Sequence, residues 1–297
     1  MNSRNMHDAF FKYISYISAV LTIVILVSIL GTITLKALPS LNLDFIITPE
    51  ADFKGFGGAI GNAIVGTVLL SLFSTMLAAP LAVGTAVYLA KYAKDGFVTR
   101  SLSFLLDVMS GTPSIVLGIF GLMILVMYMR HITGGFSFIS GSIALAILIL
   151  PVIERASEEA INRVPQDIED ASYALGATKW ETIKLVTLPY ALAGIMTGIV
   201  LSIGRAAEES AVVILTAGYS QFFPEFKFGA SEKLIFGIKL YPFQDLVAAL
   251  PITVYHSFLF PHLVSVSEGF AAAFVLIVIV MIINAVTRLI VWRRRIG

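Results

Sequence analysis

The chain has 297 residues, of which 58% are hydrophobic and only 13% charged, with a net charge of +1. Soluble domains carry about 25% charged residues, so a soluble fold of this size is excluded and lipid must replace water around most of the perimeter. The balanced charge gives no general attraction to nucleic acid, and the absence of cysteine excludes disulfides and thiolate metal sites.

A membrane-crossing helix needs about 20 mainly apolar residues. The first candidate covers residues 13–35. Its apolar run from Tyr13 to Leu35 is longer than the core of a signal peptide, and no small-residue cleavage site follows Lys36, so it reads as an anchor. The second candidate covers 62–90, the third 101–129, the fourth 137–153, the fifth 190–217 and the last 270–292. This predicts an all-α integral membrane protein with about six transmembrane helices. Residues 1–61 hold a tail, the first helix and an outer loop. Residues 62–293 form a core of five helices, with a cytoplasmic loop at 154–189 and an outer loop at 217–269.

Orientation follows from the basic residues, which are retained on the cytoplasmic side. With the N-terminus inside, thirteen Lys and Arg fall inside and six fall outside (Lys36, Lys54, Arg130, Lys227, Lys233 and Lys239). Both termini are therefore expected in the cytoplasm. The stretch 245–266 is apolar enough for a seventh crossing, but that would carry Arg293, Arg294 and Arg295 outside. It is expected to be an external helix lying in the interface. His7, His131, His256 and His262 show no metal-ligand spacing.

Two features of the spans bear on chemistry. Thr112-Pro113-Ser114 interrupts the third, where proline removes a backbone donor and frees a carbonyl. Either Thr112 and Ser114 bond back to their own helix across a simple kink, or the break helps to build a substrate site. Arg205 lies about 22 Å along the fifth span, counting 1.5 Å per residue from Tyr190. Glu208 and Glu209, three and four residues on, stand within one helical turn of it. Either the three form a structural ion-pair group, or Arg205 offers its donors to an oxyanion and Glu209 holds it when no anion is present.

The cytoplasmic loop from Glu154 to Pro189 is charged and long, and its local signals describe two short helices. Pro165 suits a first helical position, with Asp167, Glu169 and Asp170 in the next turn, where they complement the helix dipole. Gly176 suits a helix stop. Thr178 and Glu181 then form a capping box.

In this loop Asp170-Ala171-Ser172, three residues, Gly176, nine residues, then Val186-Thr187-Leu188-Pro189 resembles the "EAA" loop of ABC importer permeases. Asp170 stands for the family's glutamate and Ser172 for its second alanine, while Glu169, one residue early, offers the longer carboxylate. The resemblance implies the MetI-like permease architecture and a coupling loop (Asp170, Ala171, Ser172, Gly176, Leu188, Pro189) that docks into an ATPase. The chain carries no G-x-x-x-x-G-K-[ST] phosphate loop, so ATP is expected on a partner subunit and this chain is expected to be non-catalytic.

Further stretches are similar to the PstA-type permeases of phosphate uptake. They are Gly57–Ile60 with Val65-Gly66-Thr67, Asp107–Gly121, Arg205–Ala211, and Leu250-Pro251-Ile252 with Tyr255. Glu208 stands where that family has glycine. The resemblance implies inorganic phosphate as cargo, with phosphonate, sulfate or molybdate as the alternative. It also implies a cytoplasmic-membrane location and a substrate pathway through Arg205, Glu208, Glu209, Thr112 and Ser114. The implied partners are a PstC-type permease, two PstB-type ATPases and an external PstS-type binding protein.

Overall fold

A computed structural model describes residues 3–52, 57–230, 238–262 and 264–295. Lys54 and Lys233, expected on the outer side, lie outside this set. The chain is a helical bundle, and five of its helices are long and apolar enough to cross a membrane unbroken.

Helix α1 (Ser3–Ala37) leads through a short helix, α2 (Leu43–Ile47), to α3 (Gly61–Val87). The third expected span is not one helix. It is α4 (Phe97–Gly111) and α5 (Ser114–Gly121), the latter prolonged by a wider turn through Tyr128, with a bend of 105° at the break. Helix α6 (Arg130–Thr133) leads to α7 (Phe138–Asn162). The elbow helices α8 (Gln166–Ala174) and α9 (Lys179–Thr182) follow, then α10 (Leu188–Glu208) and α11 (Ala211–Thr216). A two-stranded hairpin, β1 (Phe228–Ala230) and β2 (Ile238–Leu240), precedes α12 (Leu250–Leu259) and the closing helix α13 (Val266–Arg295).

Packing fixes the direction of each crossing. Helices α3 and α7 run parallel, because Gly141 packs beside Leu70 near their starts while Ala86 and Ile161 share a buried cluster near their ends. Parallel neighbours require one crossing between them, so the bent pair α4–α5 traverses the bilayer once. Helix α4 cannot stand upright across a 105° bend. Its Asp107 carboxylate accepts a hydrogen bond from Arg155, which also lies 3.2 Å from Glu158. This ties α4 across the loop-side end of α7. Helices α1 and α13 are antiparallel, joined at one end by a 2.8 Å bond from Ser40 to Ser267, so their far ends lie on the same side.

The segment 245–266 departs from expectation. No long interfacial helix forms. Val247 to Ile252 enter the bundle and are buried, with the Leu250 amide donating to Thr67 Oγ1 at 2.8 Å. Helix α12 then returns to the starting end of α13, where Ser257 meets Gly269. The reason lies in α3: Gly66 has no side chain, and a Cβ there would sit 2.0 Å from the Ala248 carbonyl oxygen. Replacing Gly66 with alanine forces that backbone out, and overpacking of this kind costs about 3 kcal/mol. Gly66→Ala is expected to lower the thermal unfolding midpoint of the purified protein by several degrees. An unchanged midpoint would show that the loop is not seated there.

The same end is held by a polar cluster. Glu50, 2% exposed, accepts hydrogen bonds from the Gly57 amide at 2.6 Å and from the Tyr219 hydroxyl. Burial pushes its carboxyl above the ordinary value, and those two bonds only partly oppose the shift. Among the described residues between 217 and 265, no helix is long and apolar enough to cross a membrane.

Candidate functional site: an elbow and a half-open pathway

Helix α7 continues to Asn162, so the first quarter of the expected loop is the stem of a transmembrane helix. Pro165 closes the turn and α8 begins at Gln166. Gly176 takes φ +86, the left-handed conformation that glycine adopts at little cost and that ends helices. Thr178 then starts α9 with both bonds of a capping box to Glu181 in place. The elbow is thus built by local rules that the sequence states openly.

Its attachment to the membrane helices rests on Glu169, which is 5% exposed. Lys91, past the C-terminal end of α3, lies 2.7 Å from one carboxylate oxygen, and Thr187, at the foot of α10, donates to it at 2.6 Å. Burial alone would raise this carboxyl, but the bonds from Lys91 and Thr187 outweigh it and hold the group below the ordinary carboxylate value. Lys179 adds a cation–π contact, 4.7 Å from the Tyr92 ring centroid. Asp170 and Ala171, one turn position away, are exposed, Ser172 is half-buried against Thr182, Leu188 is half-buried, and Pro189 stands exposed in the first turn of α10.

The outer surface of the elbow is unexpectedly apolar. Leu175 is 90% exposed, Leu185 68% and Trp180 57%. Large apolar groups exposed on a polar loop mark a contact surface for a protein or a membrane. The motif spacing drew attention to Gly176 and Pro189 rather than to these three. Their signal was present as isolated apolar residues between charges.

Arg205 lies on the far half of α10. Gly194 packs on Ala160 and Gly198 on Ala156, an antiparallel register that brings Arg205 level with Ile149. That is roughly 16 Å from the start of α7 at 1.5 Å per residue, near the middle of a ~30 Å hydrocarbon layer. The expected pairing with Glu208 and Glu209 does not form. The helix ends at Glu208, and the Glu209 carboxylate turns forward to accept from the amides of Ala211 at 3.1 Å and Val212 at 3.4 Å. Glu209 therefore caps α11. Arg205 and Glu208 are both exposed, and Arg205 has neither an ion pair nor a hydrogen bond among the described residues.

Thr112 donates back to the Val108 carbonyl at 2.6 Å, so its hydroxyl is satisfied by its own helix, while Ser114 begins α5. Two breaks in the bundle meet here. Gly118 lies against Ala211 and Val212, and Gly121 against Thr216, a parallel register that brings Ser114 level with Glu208–Ser210. Discontinuous helices at membrane depth leave backbone groups available to a substrate. Arg205, Glu208, Glu209, Thr112 and Ser114 are thus near one level of the bundle, with Arg205 and Glu208 exposed and the other three half-buried.

The sequence matches the family model described as "Binding-protein-dependent transport system inner membrane component" over residues 82–295. It is 36% identical over 245 residues to the phosphate transport system permease protein PstA 1 of Mycobacterium tuberculosis (strain ATCC 25618 / H37Rv), covering 81% of this chain and 73% of that protein. It is 27% identical over 288 residues to PstA of Haemophilus influenzae, covering 96% and 94%. With the probable ABC transporter permease protein YqgI of Bacillus subtilis it shares 36% identity over 195 residues, which spans 65% of each chain. Among solved structures, the bacterial alginate ABC transporter superposes with a TM-score of 0.65 at 13% identity, covering 96% of this chain and 94% of that one. The MetNI methionine ABC transporter, in an inward facing form, gives 0.58 at 15%, covering 78% and 94%.

Proposed function

Because the chain belongs to the family of binding-protein-dependent transport system inner membrane components, we propose that it is the PstA-type permease of an ATP-driven importer that brings inorganic phosphate into the cytoplasm. The observation that carries this reading is the Glu169 clamp. It joins an elbow with an exposed apolar face to α3 and to the foot of α10, the helix that bears an unpaired Arg205 at mid-membrane depth.

ATP hydrolysis belongs to a separate subunit of the PstB type, two copies of which seat the elbow and its counterpart. Closure of the ATPase pair pushes the elbow, and the push passes through α7 and α10. The open side around Arg205 is completed by a second permease of the PstC type, whose cations supplement the single guanidinium. A doubly charged phosphate needs more than one positive charge when desolvated. The outer surface between residues 217 and 269 receives a PstS-type binding protein. With the elbow facing the ATPase, both chain ends lie in the cytoplasm.

The test is ATP-driven accumulation of labelled phosphate by the purified transporter in proteoliposomes, with the external binding protein present. Uptake that requires ATP and is displaced by unlabelled phosphate but not by sulfate or molybdate is the expected result. Accumulation displaced equally by sulfate would overturn the cargo assignment, and uptake without an ATPase subunit would overturn the importer class.

A further inference from the structure

A second group of cations, at the opposite end from the elbow, takes no part in the pathway at Arg205. A cavity of about 550 Å³ opens between α6 and the segment after β2, lined in part by Arg130, Phe136, Lys239, Gln244 and Asp245. That volume falls in the range of small-ligand pockets, about 300–1,000 Å³.

The walls are fixed before any ligand arrives. The Gln244 side chain donates to the Ile132 carbonyl at 2.7 Å and accepts from the Leu240 amide at 2.8 Å. Gly134 adopts φ +84, and a Cβ there would stand 2.9 Å from the Gln244 carbonyl oxygen, so α6 and this segment meet backbone to backbone. Lys239 is held in place by Asp245 at 3.1 Å and by the Tyr241 ring, whose centroid lies 4.4 Å away.

Arg130 is different. Its stem runs along Gly135, and its guanidinium has no carboxylate partner among the described residues. Two cations and one carboxylate leave the cavity with a single positive charge. Val126, Met127 and Leu246 add an apolar wall, which strengthens any charge interaction made beside it.

We propose that this cavity binds one phosphoryl group carrying a single negative charge, supplied either by free inorganic phosphate or by a phospholipid headgroup. The planar guanidinium fork of Arg130 matches two oxygens of a tetrahedral phosphorus centre. Lys239, anchored by Asp245, supplies the second cation without being free to collapse onto the first. The inference stands on the geometry of the cavity and does not depend on what the transporter carries.

The test uses the transporter purified in a sugar-based detergent, with Arg205→Ala in every sample so that binding in the pathway is weakened. One arm measures equilibrium binding of labelled inorganic phosphate. The other measures retained phospholipid by native mass spectrometry. One of the two is expected to be positive in the Arg205→Ala background, which identifies the source. It is expected to weaken at least about tenfold in Arg130→Gln, the loss of charge-assisted bonds, and to a lesser degree in Lys239→Gln. If neither arm is positive, or if both substitutions leave the signal unchanged, the proposal is wrong. Should Arg130→Gln fail to assemble, Lys239→Gln and Arg130→Lys decide the matter by the same readings. Proteoliposome uptake is measured separately, so a failure here leaves the importer reading intact.

Discussion

Arg205→Ala is expected to reduce initial phosphate uptake about a hundredfold while the chain still reaches the membrane at the normal level. The guanidinium has no intramolecular partner, since Glu209 is committed to the amides of Ala211 and Val212. Its removal breaks no bond within the fold, and a charge at mid-membrane depth is itself costly. The protein should therefore be no less stable without it. What disappears is a pair of charge-assisted bonds to the anion, each worth about 1.5–3 kcal/mol, and a loss near 3 kcal/mol corresponds to roughly two orders of magnitude. Arg205→Lys keeps the charge and loses the fork, so uptake should fall by about tenfold. Labelled phosphate uptake, normalised to membrane abundance, reads both. Wild-type rates in Arg205→Ala would remove this residue from the pathway.

Glu169→Ala is expected to separate ATP hydrolysis from transport. The substitution leaves Lys91 without its carboxylate and Thr187 without its acceptor in a nearly closed site. Breaking one side of a buried pair costs about 3–5 kcal/mol. The elbow retains its own capping box, so α9 persists, but it no longer holds α3 to α10. Uptake per ATP hydrolysed should drop at least about tenfold, and the purified transporter should lose thermal stability. Glu169→Gln, which keeps an acceptor for Thr187, should show a smaller defect. The pH dependence has a defined sign. A carboxyl held below its ordinary value stabilises the fold above the unfolded-state pKa, and that contribution is lost as pH falls through the lowered value. Coupling should thus be flat through neutrality and fail only in distinctly acid conditions. Equal coupling ratios in Glu169→Ala and wild type would sink the clamp.

The apolar runs, the glycine stop at Gly176 and the Thr178–Glu181 box were legible because each is a local rule with a local cause. Glu169 offers the longer carboxylate in the sequence, yet its burial depends on Lys91, 78 positions away. Neither proline nor glycine marks the break at Glu209–Ser210, and Ala206–Glu208 favour helix. The Glu209 side chain takes over the amides of the next turn, a competition that propensity does not reveal. The inward course of residues 247–252 was hidden for a similar reason: an apolar run reads alike whether it faces lipid or the flank of α3.

The glycine–alanine contacts between α7 and α10 bear on how motion is delivered. At Gly194 and Gly198 the two stems approach so closely that added Cβ atoms would stand 2.5 Å from Ala160 and Ala156. Stems in such contact cannot slide past one another without prising apart, so they behave as one stiff strut. A strut of eighteen residues from Leu188 to Arg205 is roughly 26 Å long, and a tilt of about 10° at its foot swings the far end by about 4–5 Å. That sweep exceeds the length of a charge-assisted hydrogen bond. A modest rotation at the nucleotide-dependent end is enough to carry the guanidinium out of reach of an anion it had held.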